Sequence, residues 1–185
     1  RLSFFDEKLN VEAVKYEVMS DGLAVRLPPP NNSFFENSGR RVSDGYEYTV
    51  TYSDSRLTVR AGWVTVDVRD QTPGVLAAQI AGQAAKLGQL MVRYRWPTLG
   101  GHGGLSVGGQ VVHSGDRPLT TAAVAQKIPA FQLYGINANY GLMKDVNLSL
   151  AISNLFDERS AATNNGILWR PIDPRMMKFT VAYSW

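Results

Sequence analysis

The chain has no cysteine among its 185 residues. That excludes disulfides and thiolate metal sites but leaves the compartment open, because secreted and cytosolic bacterial proteins can both do without the residue. No run approaches the ~20 consecutive apolar residues of a membrane-spanning helix. A helical span is thereby excluded; a barrel is not, because barrel strands alternate and look only half hydrophobic. Charge of one sign is also scarce: 19 Lys and Arg stand against 16 Asp and Glu, a net +3. The basic residues are scattered and form no phosphate track, so nucleic acid is not an expected partner. The only histidines are His102 and His113. They lie in a glycine-rich run without a carboxylate at ligand spacing, and no metal or cofactor site is expected. Residues 1–10 carry neither an initiator Met nor the basic start and apolar middle of a signal peptide. The chain can therefore be a processed product or a piece of something longer.

What the sequence does have is strict alternation. In 87–96, "LGQLMVRYRW", Leu90, Val92, Tyr94 and Trp96 alternate with Gln89, Met91, Arg93 and Arg95. In 130–141, Tyr134, Ile136, Ala138 and Tyr140 take one face, and Gly135, Asn137, Asn139 and Gly141 take the other. Val146, Leu148, Leu150 and Ile152 continue the pattern in 146–156, and weaker versions occur at 9–19, 40–52, 57–69 and 103–113. Alternation of this length argues for strands. Only 75–87, with its small residues and Gly82, invites a helix, and a loop with at most a short helix is the better expectation.

About eight long strands result, and their connections alternate in length. Short links fall near 6–8, 53–56, 98–102 and 142–145, and long ones near 20–39, 70–86, 114–129 and 157–174. The expected fold is all-β: part of an antiparallel up-and-down transmembrane β-barrel with short periplasmic turns and long extracellular loops. Hydrocarbon forces every backbone polar group to pair, which is why such sheets close. Tyr94, Trp96, Tyr134, Tyr140, Tyr183 and Trp185 sit near strand ends, where interfacial aromatics belong. Arg93, Arg95, Asn137 and Asn139 suit a wet lumen, and Arg41, Glu47 and Arg60 are expected to form charge networks there.

No catalytic constellation is present, and no enzyme is expected. "GGHGGLSVGG" lacks the Lys-Ser/Thr ending of a phosphate loop. Ser106 and His113 have no third group beside them, and Asp157 and Glu158, adjacent in sequence, point apart on a strand end. The candidate ligand-binding residues are on the long loops: Phe34 and Phe35 after "PPPNN", and Trp169 and Arg170 after "NNGIL". An aromatic ring with an arginine suits stacking and charge toward an anionic aromatic ligand. Ordinary packing between loops is the simpler account of the same residues.

Four stretches together, "FFDEKLNVEAVKY", "NSGRRVSDGYEYTVTY", "VNLSLAISNLFDERS" and "DPRMMKFTVAYSW", resemble the C-terminal barrel region of TonB-dependent outer-membrane receptors, siderophore-receptor branch. The matching positions are Asn37, Gly39, Ser43, Gly45 and Glu47, then 154–157, Pro174 and Arg175. The resemblance implies the bacterial outer membrane and import of a ferric siderophore or similar scarce nutrient. It implies a barrel of about 22 strands around an N-terminal plug, of which residues 1–185 would be the C-terminal part, without plug or TonB box. The implied partners are outer-membrane lipid, the barrel-assembly machinery, the plug and remaining strands, and TonB indirectly. Met177, Phe179, Val181, Tyr183 and Trp185 resemble the terminal signal by which that machinery recognises its clients. The alternative is a self-contained eight-stranded outer-membrane barrel with a structural or adhesive role.

Overall fold

A computed structural model describes residues 1–26, 30, 33–72, 83–99, 103–118, 127–163 and 169–184. His102, Trp185 and residues 75–82 lie outside them. The described residues contain thirteen strands and no helix. β1 (Leu2–Phe4), β2 (Leu9–Arg26), β3 (Phe35–Ser53), β4 (Leu57–Asp70), β5 (Lys86–Trp96) and β6 (Leu105–Ser114) come first. After the short β7 (Arg117–Pro118) and β8 (Lys127–Ile128) come β9 (Phe131–Met143) and β10 (Val146–Ser153). A second short pair, β11 (Ala161–Thr163) and β12 (Trp169–Pro171), precedes β13 (Met176–Tyr183).

Nine of these strands form one sheet in the order β1-β2-β3-β4-β5-β6-β9-β10-β13, an antiparallel meander interrupted only by the two small ribbons β7-β8 and β11-β12. β1 and β13 are its edges and do not pair with each other, so the sheet is open. An eight-stranded closed barrel is thus not what these residues form.

The sheet differs from the sequence expectation in two places. Residues 20–39 are mostly not a loop: β2 and β3 stay paired out to Arg26↔Phe35. Register shifts between Asp21 and Leu23 and between Leu23 and Ala24, with Gly22 at φ 72°, break the alternation that would have revealed them. β10 ends at Ser153, before 156, because Asn154 turns into the left-handed region at φ 47°.

The register shows how the strands lean. One row of partners passes from Tyr52, next to the short-turn end of β3, through Val59, Val92, Gly109, Ile136 and Ile152. It ends on Met177, at the long-loop end of β13. The offset is roughly one residue per strand, which at ~3.3 Å rise and ~4.8 Å spacing means a tilt of about 35°, the lean of a barrel wall.

Short turns are built by local chemistry. Phe5, Asp6 and Glu7 all have positive φ, with the Lys8 N–H donating to the Phe5 carbonyl at 3.2 Å. Asp54 accepts from the backbone N–H of Leu57 and of Arg56, each at 2.7 Å, and from the Tyr52 hydroxyl at 2.9 Å. These bonds hold its carboxyl below the usual aspartate range. On the inner side, Gly45 sits beneath the Tyr16 ring, whose hydroxyl donates to the Thr65 carbonyl at 3.4 Å.

A Cβ at Gly45 would meet that hydroxyl at 2.8 Å and press on the fixed Thr65 carbonyl, whereas one at Gly62 would meet only the flexible Gln89 side chain, at 3.4 Å. Gly45→Ala is therefore expected to lower the stability of the folded protein by about 1–3 kcal/mol, and Gly62→Ala to leave it nearly unchanged. Thermal loss of the folded, heat-modifiable gel form checks both.

Candidate functional site: a two-faced wall and its loop-bearing rim

Antiparallel partners share a face, so the register sorts the side chains. Leu57, Tyr94, Val107, Ala138, Leu150 and Phe179 form one continuous outward row. The neighbouring row carries Trp96, Leu105, Tyr140, Leu148 and Val181. Aromatics gather near both ends of this face. Tyr52, Tyr94, Trp96, Tyr140 and Tyr183 lie toward the short turns, and Tyr46, Tyr48, Trp63 and Tyr134 lie toward the long loops. Several are paired: Tyr94 meets Trp96 edge-on at 4.5 Å, and Tyr46 stacks with Tyr48 at 6.4 Å. An aliphatic band between two aromatic belts is how a barrel exterior meets hydrocarbon. In water, exposure such as Phe179's 64% and Met177's 70% would be a liability.

The opposite face changes character along its length. Near the short turns it carries Arg93, Arg95, Asn137, Asn139 and Ser149, with Arg93 donating to Ser106 Oγ at 3.4 Å and Ser149 to Asn139 at 2.8 Å. Toward the long loops it is mixed, with Val64, Val66, Val68, Leu87, Val112 and Leu133 interspersed with Arg41, Ser43, Glu47, Asp70 and Ser114. A uniformly wet inner wall is not what the chain presents. Arg41, Glu47 and Arg60 do lie on this face, but they do not form the expected network. They sit on well-separated rows, and none belongs to an ion pair among the described residues. The charge cluster is outward-facing and nearer the long loops, where Arg69 pairs with Asp44 and with Asp67. Ser106 and His113 face opposite sides of β6, which removes them as a catalytic pair. No group of three or more metal-binding side chains occurs among the described residues.

At the rim, 154–157 and 173–175 meet. Asn154 is buried; its amide donates to the carbonyls of Glu158 at 3.0 Å and Asp173 at 2.9 Å, and its oxygen accepts from the Glu158 N–H at 2.8 Å. Asp157 accepts from the Arg175 N–H at 3.0 Å and from the Arg159 guanidinium at 3.1 Å. The Leu155 N–H donates to the Tyr134 carbonyl, and Phe156 packs edge-on to Tyr134 at 5.2 Å. Together these contacts clamp both ends of the β11-β12 excursion to β9 and β13.

The family model described as TonB dependent receptor-like, beta-barrel, matches residues 2–155. The chain belongs to that family. Among solved structures, it resembles the siderophore receptor PiuA from Acinetobacter baumannii at 20% identity and TM-score 0.80, covering 98% of this chain and 27% of that one. It resembles the P. aeruginosa receptor FpvA in complex with pyoverdine and iron at 17% identity and TM-score 0.79, over 98% of this chain and 25% of FpvA. The ferric-catecholate import receptor Fiu from E. coli K12 follows at 16% and 0.73, over 96% and 25%. At such identities the likeness carries the fold. The chain spans about a quarter of the length of these receptors. No curated protein sequence matches it. Members of the TonB-dependent receptor family are outer-membrane receptors and transporters, not enzymes.

In this TonB-dependent receptor barrel, the candidate ligand residues are not brought together. Phe34 and Phe35, 65% and 64% exposed, stand at the tip of the β2-β3 hairpin. Trp169 and exposed Arg170 belong to β12, beyond β10, with β4, β5, β6 and β9 in between. Both groups are at the long-loop rim. What sequence reasoning missed is the clamp: the "NLFD" and "DPR" segments, noticed only as family signatures, are the two halves of one hydrogen-bonded corner.

Asn154→Ala leaves those buried partners unsatisfied and is expected to cost about 1–3 kcal/mol, with faster proteolysis between 158 and 172 of the intact receptor. The Arg175 N–H first, and Arg159 second, hold the Asp157 carboxyl below its ordinary value. Its contribution is therefore complete above the unfolded aspartate pKa of about 3.9 and is lost as pH falls through the lower folded value. Proteolysis at 158–172 should rise in that acid window in the wild type, and Asp157→Asn should show the elevated rate already at neutral pH.

Proposed function

We propose that the chain is the C-terminal part of an outer-membrane uptake receptor that imports a ferric siderophore or a similar scarce nutrient. The observation that carries the reading is the open, tilted nine-stranded wall, which overlays about a quarter of several siderophore receptors. The remaining barrel strands and an occluding N-terminal plug would complete it, and TonB would supply the energy through the plug. The inner face supports this division, because its apolar patch of Val64, Val66, Val68, Leu87, Val112 and Leu133 suits contact with protein better than with open water. Short turns then lie in the periplasm and the long-loop rim outside the cell, following the general layout of such barrels. Phe34 and Phe35 on one hairpin, and Trp169 and Arg170 on another, are proposed as rim contacts for the chelate, so that the ligand would be gripped from separate sides.

The β13 residues Met177, Phe179, Val181 and Tyr183, with Trp185, are proposed as the assembly signal. β13 supports that role: its outward residues are apolar, and it forms an edge of the open sheet.

The test is uptake of radiolabelled iron by cells carrying the intact gene or lacking it, supplied with a panel of catecholate, hydroxamate and mixed siderophores. At least one chelate should be taken up only with the gene and only with TonB present. TonB-dependent uptake of an iron-free nutrient instead, with no iron uptake from any chelate, would move the cargo to another class. Phe179→Asp should reduce the amount of folded receptor in the outer membrane, with affinity unchanged in the molecules that assemble; normal assembly would remove the signal assignment.

A further inference from the structure

On the outward face near the upper aromatic belt the wall has a hollow of about 510 Å³, within the roughly 300–1,000 Å³ of small-molecule sites. Its lining includes Ala61, Leu90 and Val111 with the rings of Tyr48, Trp63 and Tyr134. The cause is local. Gly88 has no side chain, so the Trp63 ring lies down over it: a Cβ there would be 2.5 Å from Trp63 Cε3. The ring then stacks on His113, 5.4 Å between centroids and 12° between planes. A tryptophan that would otherwise stand out into lipid lies flat, and space opens beside it.

The polarity of this face rises in three successive rows toward the long loops. Ala61, Leu90, Val111 and Tyr134 form an apolar row. Next come Trp63, Gly88, His113 and Gln132, and His113 Nδ1 is buried with no hydrogen-bond partner. Above Gly88 on the same side of β5 is Lys86, partnered in register with Thr65. The neighbouring carboxylate, Asp116, has its ion pair with Lys127, at 2.8 Å, and feels the charge of Lys86 only as a smaller contribution. The outward acids Asp44 and Asp67 are likewise engaged by Arg69. An apolar hollow, a hydrogen-bonding edge and then a cation is the profile of an amphiphile with an anionic head. A hollow facing hydrocarbon also forfeits dispersion contacts unless a chain fills it.

We propose that this hollow is a lipid site, holding one acyl chain of a phosphorylated outer-leaflet lipid over Leu90 and Val111, with its phosphate against Lys86. The site goes beyond bulk solvation of the barrel. It rests on the outward orientation of the long-loop rim and is independent of the cargo transported.

The experiment is native mass spectrometry of the delipidated intact receptor titrated with bis-phosphorylated lipid A, with dephosphorylated lipid A, and with inorganic phosphate. The phosphorylated lipid should be retained as a one-to-one adduct, at least about fivefold more tightly than the dephosphorylated form. Lys86→Glu should erase that preference, and Leu90→Trp, which fills the hollow, should weaken both lipids. Inorganic phosphate should displace neither. Equal retention of the two lipids, or unchanged binding in both variants, would overturn the site; displacement by inorganic phosphate would reduce it to an anion contact and overturn the acyl-chain assignment. A variant of unaltered melting temperature keeps each result interpretable. Iron uptake is not part of the readout, so failure here and failure of the transport assignment are separate results.

Discussion

Everything in this molecule depends on the backbone hydrogen-bond ladder between successive strands. In hydrocarbon an unpaired N–H or C=O costs several kcal/mol, so each strand must be paired along the length it spends in lipid. The ladder fixes the register, and the register decides which side chains face out. A slip of one residue would exchange the two faces of a strand. Leu57, Tyr94, Val107, Ala138, Leu150 and Phe179 can form one continuous outward row only because six strands hold a common register. The lean of that register carries the row through Tyr52 up to the opposite rim at Met177, so the same bonds that satisfy the backbone also curve the wall toward closure.

Side chains act where the ladder alone does not suffice. Gly45 and Gly88 let a neighbouring ring lie flat on the sheet, one inside over Thr65 and one outside beside His113. Asp54 closes a short turn, and Asn154 with Asp157 clamps the base of a long excursion. These groups spend most of their hydrogen-bonding capacity on backbone partners.

The strands themselves were legible because alternation is a direct imprint of a two-faced sheet. Leu90 to Trp96 and Tyr134 to Tyr140 announce their faces without help from any other residue. The far ends of β2 and β3 were hidden, because the shifts around Gly22 scramble the alternation and the charged residues there read as loop. The apolar patch in the upper part of the inner wall was hidden too. Val64, Val66 and Val68 alternate with Thr65 and Asp67, and a sequence cannot say which set points inward until the neighbours' register is known. The clamp was visible only as family-like segments, since a bond between Asn154 and Asp173 spans residues that no local pattern connects. The rim residues were found as residue types on loops, but their separation across the sheet is a property of strand order.

The central claim is that one face of this wall meets lipid and the other does not. Electron paramagnetic resonance tests it most directly, with single spin labels at successive positions 134 to 139 of β9 in the intact receptor, reconstituted in bilayers. Collision with oxygen, which concentrates in lipid, and with a water-soluble nickel chelate is measured at each site. Oxygen accessibility is expected to peak at Tyr134, Ile136 and Ala138 and to fall at Gly135, Asn137 and Asn139. A flat profile, or one with the two sets exchanged, would contradict the account.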